Sequence, residues 1–244
     1  MTSAKGNVLF LILIAIGLFA ALSYAMTQQG RGGASIDQER ASLLAGEIFR
    51  QLATFDQAIG RLRLIKKCDD TEISFAHDSD DDGDIDSNDD YYNPNAPTDF
   101  KCHVFHQSGG GLDWVKIPPL ALDDAHSAEA TYGEYFFPNL VRVKGIGTDC
   151  DTADCSELLV VLPYLKEAVA KEVNNRTGII RNGLGSDNVC NLDFDDGDKF
   201  IGTFSAGCGA SSTYSDNIPD MERRRTGCTN RLGQNECYHV LVPR

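Results

Sequence analysis

The densest chemistry in this sequence lies in one twelve-residue stretch, Asp78-Ser79-Asp80-Asp81-Asp82-Gly83-Asp84-Ile85-Asp86-Ser87-Asn88-Asp89. Carboxylates recur on alternate residues at Asp78, Asp80 and Asp82, the spacing that lets successive side chains wrap one ion from several sides. Gly83 follows in the sixth position, where such a loop turns sharply. Asp84 in the seventh offers its backbone carbonyl, and Ile85 in the eighth is apolar, as suits a residue anchoring the loop to a core. Asp86 and Asp89 take the ninth and twelfth positions. Calcium binds about six to eight oxygens at roughly 2.3–2.6 Å, so Asp78, Asp80, Asp82, Asp84, Asp86 and Asp89 are the candidate ligands of a Ca²⁺ cofactor. The alternative is a solvated acidic loop without an ion.

This spacing resembles the calcium loops of EF-hands, dockerins and bacterial extracellular calcium repeats. Position twelve is Asp rather than Glu, a shorter arm for a bidentate contact. No helix is expected to lead out, because Tyr91-Tyr92-Asn93-Pro94-Asn95-Ala96-Pro97 is rich in turn formers. A lone extracellular loop is therefore expected, with an affinity on the order of 10⁻⁴–10⁻³ M. A second acidic stretch, Asp193-Phe194-Asp195-Asp196-Gly197-Asp198, lacks the spacing around its glycine.

Other chemistry is sparse. The histidines are scattered, and GxSxG, HExxH, phosphate-loop and dinucleotide signatures do not occur. The sequence therefore reads as a non-enzyme, with a hydrolase of dispersed site residues as the remaining enzymatic alternative. A net charge of −14 repels phosphate backbones and argues against a nucleic-acid partner. Asn175-Arg176-Thr177 is a permissive glycosylation sequon.

There are eight cysteines, Cys68, Cys102, Cys150, Cys155, Cys190, Cys208, Cys228 and Cys237, with no CxxC pair among them. An even set beyond an export segment reads as up to four disulfides. Pairing of neighbours is the expectation: Cys68–Cys102, Cys150–Cys155, Cys190–Cys208 and Cys228–Cys237.

The elements that must position these groups begin with an uncharged run from Val8 to Ala25. At about 1.5 Å per residue it spans roughly 27 Å as a helix, which predicts a transmembrane helix over 7–29. Three processing readings stay open: cleavage after Ser23-Tyr24-Ala25, cleavage of a short leader (1–6) after Gly6, or an uncut anchor. Lys5-Gly6 directly before the apolar run resembles type IV prepilins and type II secretion pseudopilins. That resemblance covers about a quarter of the chain. It implies a leader peptidase cutting after Gly6 and a methylated Asn7. It also implies self-association, or association with other pilin-like subunits, through the apolar helix. The subunit would wait in the inner membrane and then join an extracellular filament. Leu11 stands where major pilins carry Glu, which points to a minor subunit.

Gly30 to Gly33 breaks the apolar helix. Ser35-Ile36-Asp37-Gln38 reads as a capping box, and Leu44, Ile48, Leu52, Phe55, Ile59 and Leu62 then recur at helical spacing. This predicts an amphipathic helix over 36–66 after a linker at 30–35. The remainder, 67–244, reads as a disulfide-rich extracytoplasmic head. Short strands are expected at 71–75, 103–105, 114–117, 140–143, 158–162, 200–204 and 238–242, and a helix opening at Pro163. The fold class is thus α+β, pilin-like, with an antiparallel sheet. The functional expectation is a structural subunit of a type IV pilus-like or secretion-related filament. The alternative is an anchored or secreted calcium-binding adhesin that does not polymerise.

Overall fold

Phe10, Leu11, Ile12, Leu13 and Ile14 are five consecutive residues of one helix, and each is at least 43% exposed. They belong to α1, Gly6–Gln29. At 100° per residue they ring the whole helix circumference, so α1 is apolar on every side. The computed structural model describes residues 6–29, 32–148, 155–179, 183–186, 198–205, 213–214 and 218–244. The chain divides into two compact units, Met1–Ala41 and Ser42–Arg244.

Among the described residues, no helix is long and apolar enough to cross a membrane. This corrects the transmembrane helix expected over 7–29. The expectations on the leader at 1–5 lie outside the described residues.

α2, Gly32–Leu64, starts earlier than expected. Ser35 is therefore inside the helix rather than its cap. The stripe is otherwise as expected: Ile48, Leu52, Phe55, Ile59 and Leu62 are at most 2% exposed. Leu44 is only half-buried, and Ala41, Ala45 and Ala58 join the buried face instead. Phe55 packs edge-on against Phe105, Tyr135 and Phe137 at centroid distances of 6.1, 5.2 and 5.7 Å. Phe75 stacks on Phe137 at 3.8 Å. Edge-to-face contacts of this kind add about 0.5–1.5 kcal/mol each beyond area burial. Gln51 in the stripe accepts a hydrogen bond from the Tyr135 hydroxyl, whose pKa burial raises far above the ordinary phenol value.

The sheet is antiparallel, as expected, with strand order β2-β5-β4. All five residues of β2, Leu158–Leu162, are buried, which explains its unbroken apolar run. β5, Gln234–Val242, is the central strand and pairs with β2 and with β4, Thr226–Arg231. β4 was not anticipated from the sequence. The connection is the two-residue loop Leu232-Gly233, with φ of 50° and 89°, the signature of a type I′ hairpin turn. A buried ion pair, Arg231 Nε to Glu236 Oε2 at 2.9 Å, sits beside the turn. A separate parallel pair joins β1, Arg142–Val143, to β3, Thr213–Tyr214.

Several expected strands are shorter or missing. Residues 71–75 and 103–105 contribute one parallel bridge, Ser74 with His103, and 114–117 and 200–204 are irregular. The helix expected at Pro163 begins later, as α3, Glu167–Arg176. Leu165 is still held extended, its amide bonded to the Asn235 carbonyl at 2.9 Å.

α3 docks on both neighbours. The Asn174 side chain bonds both backbone groups of Cys228, at 2.8 and 2.7 Å, so it acts as a substitute strand edge for β4. Arg176 reaches the Ser42 carbonyl on α2 at 2.6 Å. It crosses Gly46, where a Cβ would stand 3.2 Å from its guanidinium.

Candidate metal centre

The chain leaves the Ser74–His103 bridge through Phe75, Ala76 and His77, all buried, and emerges at exposed Asp78. The loop then closes on itself. The Gly83 amide donates to Asp78 Oδ2 at 3.0 Å. The Asp82 amide donates to Asp80 Oδ1 at 3.3 Å, and the Asp84 amide to Asp82 Oδ1 at 3.0 Å. Gly83 has φ of 95°, in the left-handed region that glycine enters without strain. The turn expected at the sixth position is therefore present.

Folding brings three of the six candidate ligands together. Carboxylate oxygens of Asp78, Asp80 and Asp82 lie within 4.8 Å of one another. Asp84, Asp86 and Asp89 do not join them. Asp89 is 7% exposed and has a different task. Its oxygens accept from the Ser79 amide at 2.6 Å, the Ser79 hydroxyl at 3.0 Å and the Asp86 amide at 2.9 Å. Asp86 in turn accepts from the Asn88 amide at 2.7 Å. The twelfth residue thus braces the loop from inside. A shorter Asp in place of Glu suits this bracing, which needs contact with the loop's own amides rather than reach to an ion.

The electrostatics separate the two roles. Desolvation raises the Asp80 pKa, and the carboxylates of Asp82, Asp89 and Asp78 add to it against one hydrogen bond from the Asp82 amide. Asp89 moves the other way. Burial pushes its carboxyl up, but the donors on Ser79 and Asp86 outweigh that and hold it below the usual carboxylate range. The triad is crowded with like charge that a divalent cation would relieve, and its hard oxygen donors fit calcium or magnesium. Three side chains leave the remaining positions to backbone oxygen and water.

A second constellation was not anticipated from the sequence. Asp56 on α2, His239 on β5 and Thr226 on β4 form a chain. Asp56 Oδ2 lies 3.1 Å from His239 Nε2, and His239 Nδ1 lies 2.6 Å from the Thr226 hydroxyl. Arg225 holds the other Asp56 oxygen at 3.1 Å. An acid–imidazole–hydroxyl order is the one nucleophilic catalysts use. Here Thr226 and His239 are directly paired across the strands and both 7% exposed, so the chain clips α2 to the sheet. Only the pairing register reveals it, since Asp56 and His239 are 183 residues apart.

His103 is also buried, and burial followed by the charge of His106 lowers its pKa to about 4. Its Nδ1 has no hydrogen-bond partner among the described residues.

Disulfides join Cys68 to Cys102 and Cys228 to Cys237, the latter directly opposed across β4 and β5. Cys155 is disulfide-bonded as well. The expectations on Cys150, Cys190, Cys208 and the stretch 193–197 lie outside the described residues. Disulfides persist in oxidising compartments, so these pairs point to an extracytoplasmic setting. Asn175 of the sequon is exposed at the end of α3. The chain matches no family model, no curated protein and no solved structure.

Proposed function

We propose that the chain is a structural subunit that assembles through α1 into an extracellular filament. One observation carries this reading: α1 is apolar on all sides, with Phe19 at 73% and Leu18 at 66% exposure. Patches of this kind mark surfaces that a partner covers. A helix apolar all round suits a bundle of identical helices, which would cover every side at once. α2 supports the reading, because its stripe forms a spine within the Ser42–Arg244 unit. Gly6 and Asn7 would be the processing junction, and mass spectrometry would then find a methylated Asn7 at the mature amino terminus.

The test is sedimentation and electron microscopy of the purified chain beside Leu18→Asp/Phe19→Asp. The parent should form large assemblies, and the double variant should remain monomeric with the melting temperature of the head unchanged. A parent that stays monomeric at all concentrations would sink the proposal.

The loop at 78–89 is proposed to bind Ca²⁺, on the convergence of Asp78, Asp80 and Asp82. Calorimetry with calcium, and separately with magnesium, tests it. No heat, and no change in melting at millimolar calcium, would end that reading. The same loop would serve a calcium-dependent adhesin, the reading favoured if the chain proves monomeric yet binds calcium.

A further inference from the structure

Beside the acidic loop the head contains a recess of about 400 Å³. Small-molecule pockets are commonly about 300–1,000 Å³, and their rings and few polar groups select the ligand. Five rings line this one: His77, Phe100, Phe105, His106 and Trp114. The wall is built rather than incidental. His77 and Trp114 stack face to face at 3.6 Å and 7°. Phe105 meets Trp114 edge-on at 4.9 Å, and Phe100 stacks on His106 at 4.6 Å.

We infer that this recess binds an organic cation through an alkylammonium group. The charges around the rings choose the sign. Asp78, Asp84 and Asp113 line the recess, and among the described residues no lysine or arginine lines it. An anion is therefore repelled, and a neutral ligand gains ring contact while leaving the field of three carboxylates unanswered. A bare metal ion prefers the oxygen triad next door and gains nothing from ring walls. A cation carrying methyl or methylene groups uses both, because ring faces attract cations and the carbon surface is removed from water.

The inference does not depend on calcium binding at the loop, and the titration is run in chelator so that the two stand apart. Trp114 is the only tryptophan in the chain, so its fluorescence reports on the recess alone. The full chain is titrated with choline, with Nα-acetyl-lysine amide, and with 3,3-dimethyl-1-butanol, the uncharged isostere of choline. The expected result is a saturable change at millimolar or lower concentration for at least one cation, with the isostere about tenfold weaker or more. Asp113→Asn, at an exposed position outside the metal triad, should weaken the cation about threefold and leave the melting temperature unchanged. The cation that binds more tightly distinguishes a small quaternary amine from a lysine side chain of a protein. No saturable change with either cation, an equal response to the isostere, or unchanged affinity in Asp113→Asn would overturn the inference.

Discussion

In α1 the rings of Phe10 and Phe19 are 61% and 73% exposed, while Phe55 in α2 is 1% exposed and ringed by three aromatic neighbours. α1 is richer in apolar residues than α2, and the two helices also arrange them differently. In α2 the apolar residues return every three or four positions and gather on one face, which the head's own residues cover. In α1 they fall on nearly every residue from Val8 to Leu22, so no single neighbouring surface could cover them all. One helix organises its own unit, and the other presents a surface for something else to cover.

The contrast can be broken by substituting one ring on each side. Phe55→Ala should destabilise the head by about 3–5 kcal/mol, read as a lower denaturant midpoint, because it opens a cavity among packed rings. Phe19→Ala should leave that midpoint unchanged and weaken assembly. Equal effects at the two sites would erase the distinction.

The lower end of α2 sharpens it further. Cys68, four residues beyond the last residue of α2, is tied to Cys102 across a sequence separation of 34. Cys68→Ala/Cys102→Ala should cost about 4 kcal/mol by the loop-entropy relation, measured as the shift in unfolding free energy.

Buried and exposed titratable groups give the next test. His103 is 3% exposed with a pKa near 4, against about 6.5 unfolded. Between pH 6.5 and 4 the unfolded chain takes up a proton that the folded chain refuses. Stability should therefore fall with pH through that window, by up to about 3 kcal/mol for this group, and stop falling below it. His103→Asn should flatten the slope between pH 7 and pH 5, as measured by urea unfolding. A slope unchanged by the substitution would relocate its cause.

The smallest effect belongs to the exposed triad. At 10 mM calcium, an affinity of 10⁻⁴–10⁻³ M should stabilise the fold by about 1.4–2.7 kcal/mol. Asp80→Asn should remove most of the accompanying rise in melting temperature. Asp86→Asn, outside the triad, should retain more of it. Equal losses at both positions would restore Asp86 to the ligand set.

What the sequence made legible was whatever rests on local periodicity. The α2 stripe and the buried β2 follow from spacing, whereas eight cysteines allow 105 pairings, and Cys68–Cys102 and Cys228–Cys237 agree with a choice of neighbours that spacing does not dictate. The glycine turn at Gly83 was legible because only its backbone freedom suits that position. β4 was hidden because Thr226 to Arg231 is polar and glycine-containing, and its turn is Leu-Gly rather than the usual Asn-Gly. Its strand character comes from pairing with β5, a partner that no window of sequence contains. The bonds of Asp89 were hidden for a similar reason. Position in a motif marked it as a candidate ligand, and its contact with Ser79, ten residues away, shows only in the fold. The recess was illegible, since His77, Phe100 and Trp114 meet only in three dimensions.

The Cys68–Cys102 crosslink has a mechanical consequence. In the proposed filament a subunit held by one helix would be loaded along its chain, and the acidic loop lies entirely between the two crosslinked residues. Tension entering through α2 passes across the sulfur bridge and bypasses the 34-residue segment. That segment, up to about 110–120 Å of extended chain, is withheld from stretching while the bridge is intact. Pulled in an optical trap, the protein should unravel to a contour shorter by that amount than the Cys68→Ala/Cys102→Ala variant. The loop would remain unstretched under loads that extend the rest of the head.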